Sequence, residues 1–306
     1  MKITVITPTL KLDSFLNDAI NTVKLQTYTG YIEHIVIVDS PLIEVPKPII
    51  FRNYSLNYFI NNGDNGPSNA RNLGLDKSTG EIVCFLDADD LWDNNYLSII
   101  TELYKSNLNI NAISTIGYQF HNINNLKKIK FANAYAKNGM LDSENISWNV
   151  IGCPSGFSYI FSEDLKTLRF SSSARYFEDY MFYLMLHFKF NKTVYRCNET
   201  NFWYRKSHMQ ATHGATKSHV ENSKNIILES LKNKNSYISN YNITICGLQI
   251  NRLSIRLLQE NSILITINLI SKAPSYFFSN LFKYKQQIVN YLIHKIRYKL
   301  SCAKLL

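Results

Sequence analysis

A chain of 306 residues with 45% hydrophobic content is long enough for one large domain plus an appendage, and apolar enough for an ordinary globular core. Its formal net charge is +10, yet no Asp or Glu follows Glu260, and the seven cations from Lys272 to Lys304 leave only +3 for the rest; no nucleic-acid partner is expected, because the aromatic and basic residues match no recognised binding module. Five scattered cysteines fit neither a disulfide framework nor a zinc knuckle and point to a reducing cytoplasm, while no run approaches the ~20 apolar residues of a membrane span.

Met1 to Pro8 is too short an apolar run for a signal peptide and reads as a first strand. Short β-branched runs at Ile3 to Thr7, Ile35 to Val38 and Ile82 to Leu86 predict buried parallel strands. Ser14 to Gln26 carries Phe15, Leu16, Ala19, Ile20 and Val23 near helical spacing, behind Asp13 or Ser14 as a cap. A second helix is predicted from Ser68 through Lys77, stopping at Gly80. Strand, helix, strand, helix, strand implies a parallel sheet covered on both faces, with ligands beyond the carboxyl ends of its strands. Further helices are predicted at Asn94 to Ser106 and at Tyr176 to Phe190, and a strand at Ala112 to Gln119; Asn122 to Glu144 reads as an exposed connection or hairpin. Composition shifts to Asn, Lys, Ile and Leu after about Ser218, so residues 1–215 are taken as the main α/β domain and 216–306 as a helical, basic C-terminal region.

Phe85-Leu86-Asp87-Ala88-Asp89-Asp90 is an apolar strand that ends in three carboxylates. Three acids at one strand end repel one another unless a cation neutralises them, and hard oxygen ligands suit Mg²⁺ or Mn²⁺. The plainer reading, helix-capping Asp residues facing water, suits one acid better than three that follow a buried strand. Upstream, Gly63 to Gly74 is a loop running into a helix N-terminus, where anions are favoured and Arg71 is able to fork onto a phosphate or to pair with one of the three acids.

Gly66-Pro67-Ser68-Asn69-Ala70-Arg71-Asn72-Leu73-Gly74-Leu75, then Gly80, then Phe85 to Asp90 resembles the inverting family 2 glycosyltransferases, of the kind that build bacterial capsule, lipopolysaccharide and O-antigen. The resemblance covers about residues 1–215 and implies a GT-A fold, a doubly wound and mostly parallel sheet with a mainly helical extension. It implies that the nucleotide of a UDP-sugar lies across Pro8, Thr9 and the loop to Lys11 and against Asp39, with Arg71 near the diphosphate. Asp87 and Asp89 or Asp90 would hold the ribose and the metal, Asp89 being the first choice of ligand. Two departures stand out: Leu10-Lys11 replaces an aromatic followed by Asn, and Asp39-Ser40 replaces a pair of acids.

Tyr176-Phe177-Glu178-Asp179-Tyr180 is similar to the family's Glu-Asp pair at a helix start, which makes Asp179 the base that deprotonates the acceptor hydroxyl, with Glu178 beside it. Without the upstream motif, both acids would read as helix N-terminal residues favoured by the dipole. Phe202-Trp203-Tyr204-Arg205-Lys206-Ser207-His208 resembles the returning Tyr-Arg segment, placing Arg205 or His208 near the diphosphate or metal, with His213 a weaker candidate. Trp203 and Tyr204 stack on a sugar in one reading and belong to the core in the other.

In the tail, Ile288, Leu292, Ile296 and Leu300 recur every four residues among Lys295, Arg297 and Lys299. That pattern suits peripheral contact with an anionic membrane or packing on protein with a solvated basic face. The expectation is a cytoplasmic transferase, peripheral on the inner membrane, that moves sugar to a glycan or lipid-linked acceptor in surface polysaccharide synthesis, using Mn²⁺ or Mg²⁺. Gln249-Ile250-Asn251-Arg252 is followed by Leu253 where processive synthases carry Trp, so a single addition is expected. A sugar-phosphate nucleotidyltransferase would place a Gly-rich basic loop where Thr7 to Leu12 stands, and a catalytically weak glycan-binding module would tolerate loss of Asp179.

Overall fold

A computed structural model describes residues 1–63, 66–123, 126, 129–130, 136–206, 216–232, 238, 242–243, 246–247 and 249–250. The chain divides into the units Met1–Leu258 and Gln259–Leu306, and the described residues all belong to the first. His208, His213 and the basic tail lie outside the described residues.

The opening units follow the alternation of the sequence. Strand β1 (Ile3–Thr9) leads to helix α1 (Ser14–Lys24) and strand β2 (Ile32–Val38). Of the two candidate caps it is Asp13 that caps α1, its carboxylate accepting from the backbone of Phe15 and Leu16 at 3.0 and 3.1 Å. A hairpin then forms from β3 (Ile49–Phe51) and β4 (Tyr54–Ile60), and β4 returns parallel to β2. Helix α2 (Pro67–Lys77) leads to β5 (Ile82–Phe85), which pairs with β1 on its other side. Gly74 permits this crossover to pack closely, because a Cβ there would lie 2.4 Å from Ile6 Cγ2.

Strand β6 (Leu91–Trp92), helix α3 (Tyr96–Ser106) and strand β7 (Ala112–Phe120) come next. In the predicted connection 122–144 the described residues include two short strands, β8 (Ile129–Lys130) and β9 (Gly139–Met140), and the start of helix α4 (Ser143–Ser147). Strand β10 (Phe157–Ile160) inserts antiparallel between β5 and β7. Helix α5 (Glu178–Leu184) continues through a wide π turn at Met185–Lys189, and β11 (Val194–Arg205) pairs parallel with β7. The sheet order is β3-β4-β2-β1-β5-β10-β7-β11-β6, with β8 on β7 and β9 on β11.

Successive strand residues feed opposite cores. Ile3 and Val5 of β1, with Ile82 and Cys84 of β5, pack with Leu16 and Val23 of α1 and Leu97 and Ile100 of α3. Ile6, Val83 and Phe85 face the other way, onto Leu75 of α2 and Tyr180 to Leu184 of α5. Helix α6 (Lys217–Lys232), beyond the expected boundary at 215, adds Ile227 and Leu231 to that second cluster. The chain moves outward from β1 to β2 and β4, then reverses to β5. That reversal opens a crevice at the carboxyl ends of β1 and β5.

Candidate active site

The crevice is where β5 stops and the three acids begin. Leu86 donates its amide to Ile6 at 3.0 Å, so the acids follow level with the end of β1. Asp87 and Asp89 are half-buried, whereas Asp90 is fully buried. Asp90 is held from three directions: by the Ser155 hydroxyl at 2.6 Å, the Arg205 amide at 3.0 Å and the Cys153 thiol at 3.5 Å. Burial, then the neighbouring Asp89 and Asp87 charges, push its carboxyl well above the usual range. Burial and Asp87 likewise push Asp89 up to about 6.

Arg71, on α2, is only 4% exposed and joins two distant acids. Its Nη2 lies 2.8 Å from Asp87 Oδ1 and its Nη1 3.1 Å from Glu178 Oε1. Burial disfavours the charged guanidinium, but the Asp87 and Glu178 charges outweigh it and raise Arg71 above its ordinary value. The ring of Phe170 lies 5.3 Å from the guanidinium carbon.

Glu178 and Asp179 open α5 behind Phe177, which adopts left-handed backbone at φ 64°. That conformation is costly for an aromatic residue and sets where the helix starts, so both acids sit in its first turn. Burial raises Glu178, with Arg71 working against the rise. Burial and the adjacent Glu178 charge push Asp179 up to about 7.

Arg205, at the end of β11, closes the acidic cluster from the other side. It reaches Asp18 of α1 at 2.8 Å and the Asp89 carbonyl at 2.8 Å, and lies against the rings of Phe15 and Phe120 at 4.3 and 4.7 Å. Trp203 is core, 7% exposed, with its indole N–H on Asp93 at 2.8 Å.

At the end of β1, Pro8 is half-buried and Thr9 is buried. The Thr9 hydroxyl bonds the Lys11 carbonyl at 2.6 Å. Asp39, at the end of β2, donates its backbone N–H to the Thr9 carbonyl at 2.7 Å. Its carboxylate takes the Asn61 amide and the Gly66 N–H, each at 2.7 Å. Gly66 has φ 144°, a conformation that suits glycine at the mouth of α2.

Residues 4–169 match the sequence profile of Glycosyl transferase family 2, more than half of the chain. The chain belongs to glycosyltransferase family 2. An uncharacterized glycosyltransferase of Haemophilus influenzae is 35% identical over 98 residues, 31% of this chain and 39% of that protein. Glycosyltransferase GlyA of Streptococcus pneumoniae is 31% identical over 125 residues, 39% of this chain and 17% of that protein. A Rickettsia bellii uncharacterized glycosyltransferase matches over 15% of its own length, so the match spans under half of these relatives. Among solved structures, S. aureus TarS 1-349 in complex with UDP-GlcNAc aligns with TM-score 0.64 and 16% identity, covering 82% of this chain and 72% of that one. Mannosyltransferase PcManGT from Pyrobaculum calidifontis, in complex with GDP-Man and Mn²⁺, aligns with TM-score 0.55 and 12% identity over 98% of this chain and 84% of that one. The fold of the chain is GT-A.

The donor set of the crevice suits a hard divalent cation in part. Ligand atoms of Asp87, Asp90 and Cys153 lie within 4.8 Å of one another. Asp87 and Asp89 have partly open carboxylates whose crowding a cation would relieve, whereas the Cys153 thiol is soft and spends its proton on Asp90 and, at 3.8 Å, on Asp87. The structure brings together Pro8, Thr9, Asp39, Arg71, Asp87, Asp89, Asp90, Glu178, Asp179 and Arg205 around the carboxyl ends of the strands.

Ser155 and Asn61 were not anticipated from the sequence. Ser155 accepts the Asp87 N–H at 3.0 Å while donating to Asp90, and its carbonyl takes the Trp92 indole N–H at 2.6 Å. The only hint is the small-residue stretch Gly152-Cys153-Pro154-Ser155-Gly156, which looks like any turn. Asn61 follows an aromatic run and carries no chemical pattern of its own.

Proposed function

We propose that this chain transfers a sugar, with inversion, from a UDP-sugar to a glycan or lipid-linked acceptor in bacterial surface polysaccharide synthesis. The observation that carries the reading is the Asp87–Arg71–Glu178 bridge, which ties the acids after β5 to the helix start that bears Asp179. Inverting transfer needs a base on the acceptor side and charge neutralisation on the leaving side, and the bridge sets both on one frame. Asp179 is that base. A carboxyl titrating at about 7 is half ionised at neutral pH and accepts a proton from a sugar hydroxyl better than an ordinary carboxylate does. Glu178 stays with Arg71 and orients the turn rather than taking the proton.

Asp89, with Asp87 beside it, would hold Mn²⁺ or Mg²⁺, which when bound neutralises the diphosphate that departs with the nucleotide. Asp90, enclosed by Ser155 and Arg205, fixes the loop on which Asp89 stands. Pro8, Thr9 and Asp39 face the nucleoside, and TarS bound to UDP-GlcNAc supports a uridine donor. Arg71 contributes positive charge close to where the diphosphate lies. Residues 1–215 form the catalytic body and 216–306 the appended region, whose first helix, α6, docks on it. Action is placed at the cytoplasmic face of the inner membrane, as a peripheral enzyme; no helix of the described residues is long and apolar enough to cross a membrane.

The test is hydrolysis of a panel of nucleotide sugars by purified protein with Mn²⁺ or Mg²⁺, beside Asp89→Ala. Metal-dependent release of UDP by the wild type, lost in the variant, is expected. Absence of both hydrolysis and metal-dependent thermal stabilisation with every donor would overturn the reading in favour of a glycan-binding module.

A further inference from the structure

Eight consecutive residues, Pro46-Lys47-Pro48-Ile49-Ile50-Phe51-Arg52-Asn53, are exposed without interruption. An edge strand that covers a core buries alternate side chains. In β3, by contrast, Ile49, Ile50 and Phe51 are 51%, 75% and 61% exposed, so apolar groups stand out on both faces. The stretch includes two cations and no acid, and the Arg52 guanidinium lies 5.4 Å from the centre of the Phe51 ring. A contiguous apolar surface rimmed by charge marks an interaction site.

The chemistry of the partner follows from what β3 offers and withholds. Among the described residues β3 pairs with β4 alone and ends the sheet. Strand addition by another chain draws on backbone donors along that outer edge, but Pro46 and Pro48 have none, and Lys47 between them adds charge. Antiparallel pairing of two copies centred between Ile49 and Ile50 would also set Lys47 of one opposite Arg52 of the other. An anionic lipid surface meets no such opposition: apolar side chains enter the interface while cations remain with the headgroup phosphates. Because β3 is antiparallel to β4, and β4 is parallel to β2 and β1, the Arg52-Asn53 turn lies at the end of the sheet opposite Asp39 and the acids after β5. Docking by this edge leaves the donor crevice open.

We propose that the β3 hairpin edge, through Ile49, Ile50 and Phe51 flanked by Lys47 and Arg52, is a docking surface for anionic membrane. The assignment is independent of the donor reading and of the basic tail. It is tested with the full chain in vesicle co-sedimentation, comparing phosphatidylcholine alone with phosphatidylcholine–phosphatidylglycerol mixtures. Wild type should partition onto the anionic vesicles, and Ile50→Asp combined with Phe51→Asp should weaken this about tenfold or more. Lys47→Gln with Arg52→Gln should weaken it by between about ten- and thirtyfold. All four positions are exposed and outside the catalytic machinery, so donor hydrolysis and the thermal midpoint should stay unchanged. A single Phe51→Trp variant gives an independent reading, a blue shift of emission on anionic vesicles only. Wild-type partition of the Ile50/Phe51 variant, equal partition onto neutral vesicles, or no shift from Phe51→Trp would overturn the proposal. So would self-association of the wild type that these substitutions abolish without any lipid binding.

Discussion

Asp179 and Arg71 carry the sharpest consequences at the scale of single residues. Asp179→Asn keeps the shape and the Tyr180 amide contact but removes the proton acceptor, so transfer should fall by about 10²- to 10⁴-fold with donor affinity retained. Isothermal titration with the donor beside a product assay separates the two. With the wild type, kcat/KM should rise with pH through about 7, the value to which burial and Glu178 lift Asp179, and flatten above it. A profile flat from pH 5 to 9 would assign the base elsewhere. Removing Arg71 leaves the half-buried Asp87 and Glu178 without their shared cation. Arg71→Ala should therefore destabilise the fold by roughly 3–5 kcal/mol in urea unfolding. Arg71→Lys should recover little, since one ammonium does not span the two acids that the planar fork reaches. The acids themselves were legible in the sequence because a run ending Phe-Leu-Asp-Ala-Asp-Asp is chemically odd without a ligand. Their individual roles were not, since burial separates Asp90 from Asp89 although they are adjacent.

Among the elements, the turn before β10 matters more than its composition suggests. Ser155 supplies a donor to Asp90 and an acceptor to the Asp87 amide, so it links two of the three acids to the antiparallel strand inserted in the sheet. Ser155→Ala should cost about 1–3 kcal/mol, the penalty of leaving the buried Asp90 carboxylate short of a partner. The same variant should weaken Mn²⁺-dependent thermal stabilisation, a readout that mere loosening of the core would leave in place. The helices α1, α2 and α3 were readable from periodicity and caps. Helix α5 was read within Tyr176 to Phe190 as begun by Glu178-Asp179, and it does begin at Glu178, behind a Phe177 whose left-handed conformation no periodic pattern announces. Strand β4 went unread because its aromatic residues and half-buried pattern resemble a loop flanked by Asn as much as a third parallel strand.

The whole molecule also carries a pH response remote from chemistry. His34 of β2 is fully buried between the Thr7 hydroxyl at 2.9 Å and the Tyr54 hydroxyl at 3.2 Å, and burial depresses it to about 3. In the unfolded chain it takes up a proton near pH 6.5, in the folded chain only near 3. The unfolded state thus binds more protons within that window, and stability falls as pH drops from about 6.5 towards 3, by at most about 4 kcal/mol from this one group. The half-buried Asp179 acts oppositely, since its raised carboxyl takes up protons in the folded state first. The difference between wild type and His34→Gln in urea midpoint, followed from pH 7 to pH 4, isolates the histidine: the variant should lose less stability on acidification. Equal slopes would show that His34 is protonated in the folded protein.

Local chemistry was determined by the sequence alone: alternating periodicities that demand a covered parallel sheet, a helix cap at Asp13 or Ser14, and a strand that breaks into carboxylates where that sheet must bind ligands. What only the tertiary structure decided is which charges share a site. Arg71 meets Asp87 from 16 residues away and Glu178 from 107, and Arg205 meets Asp18 across 187. Periodicity reports the face a residue occupies within its own element, whereas partnership across elements depends on strand order. Here the reversal of that order after β4 brings the ends of β1 and β5 together and sets the first turn of α5 above them.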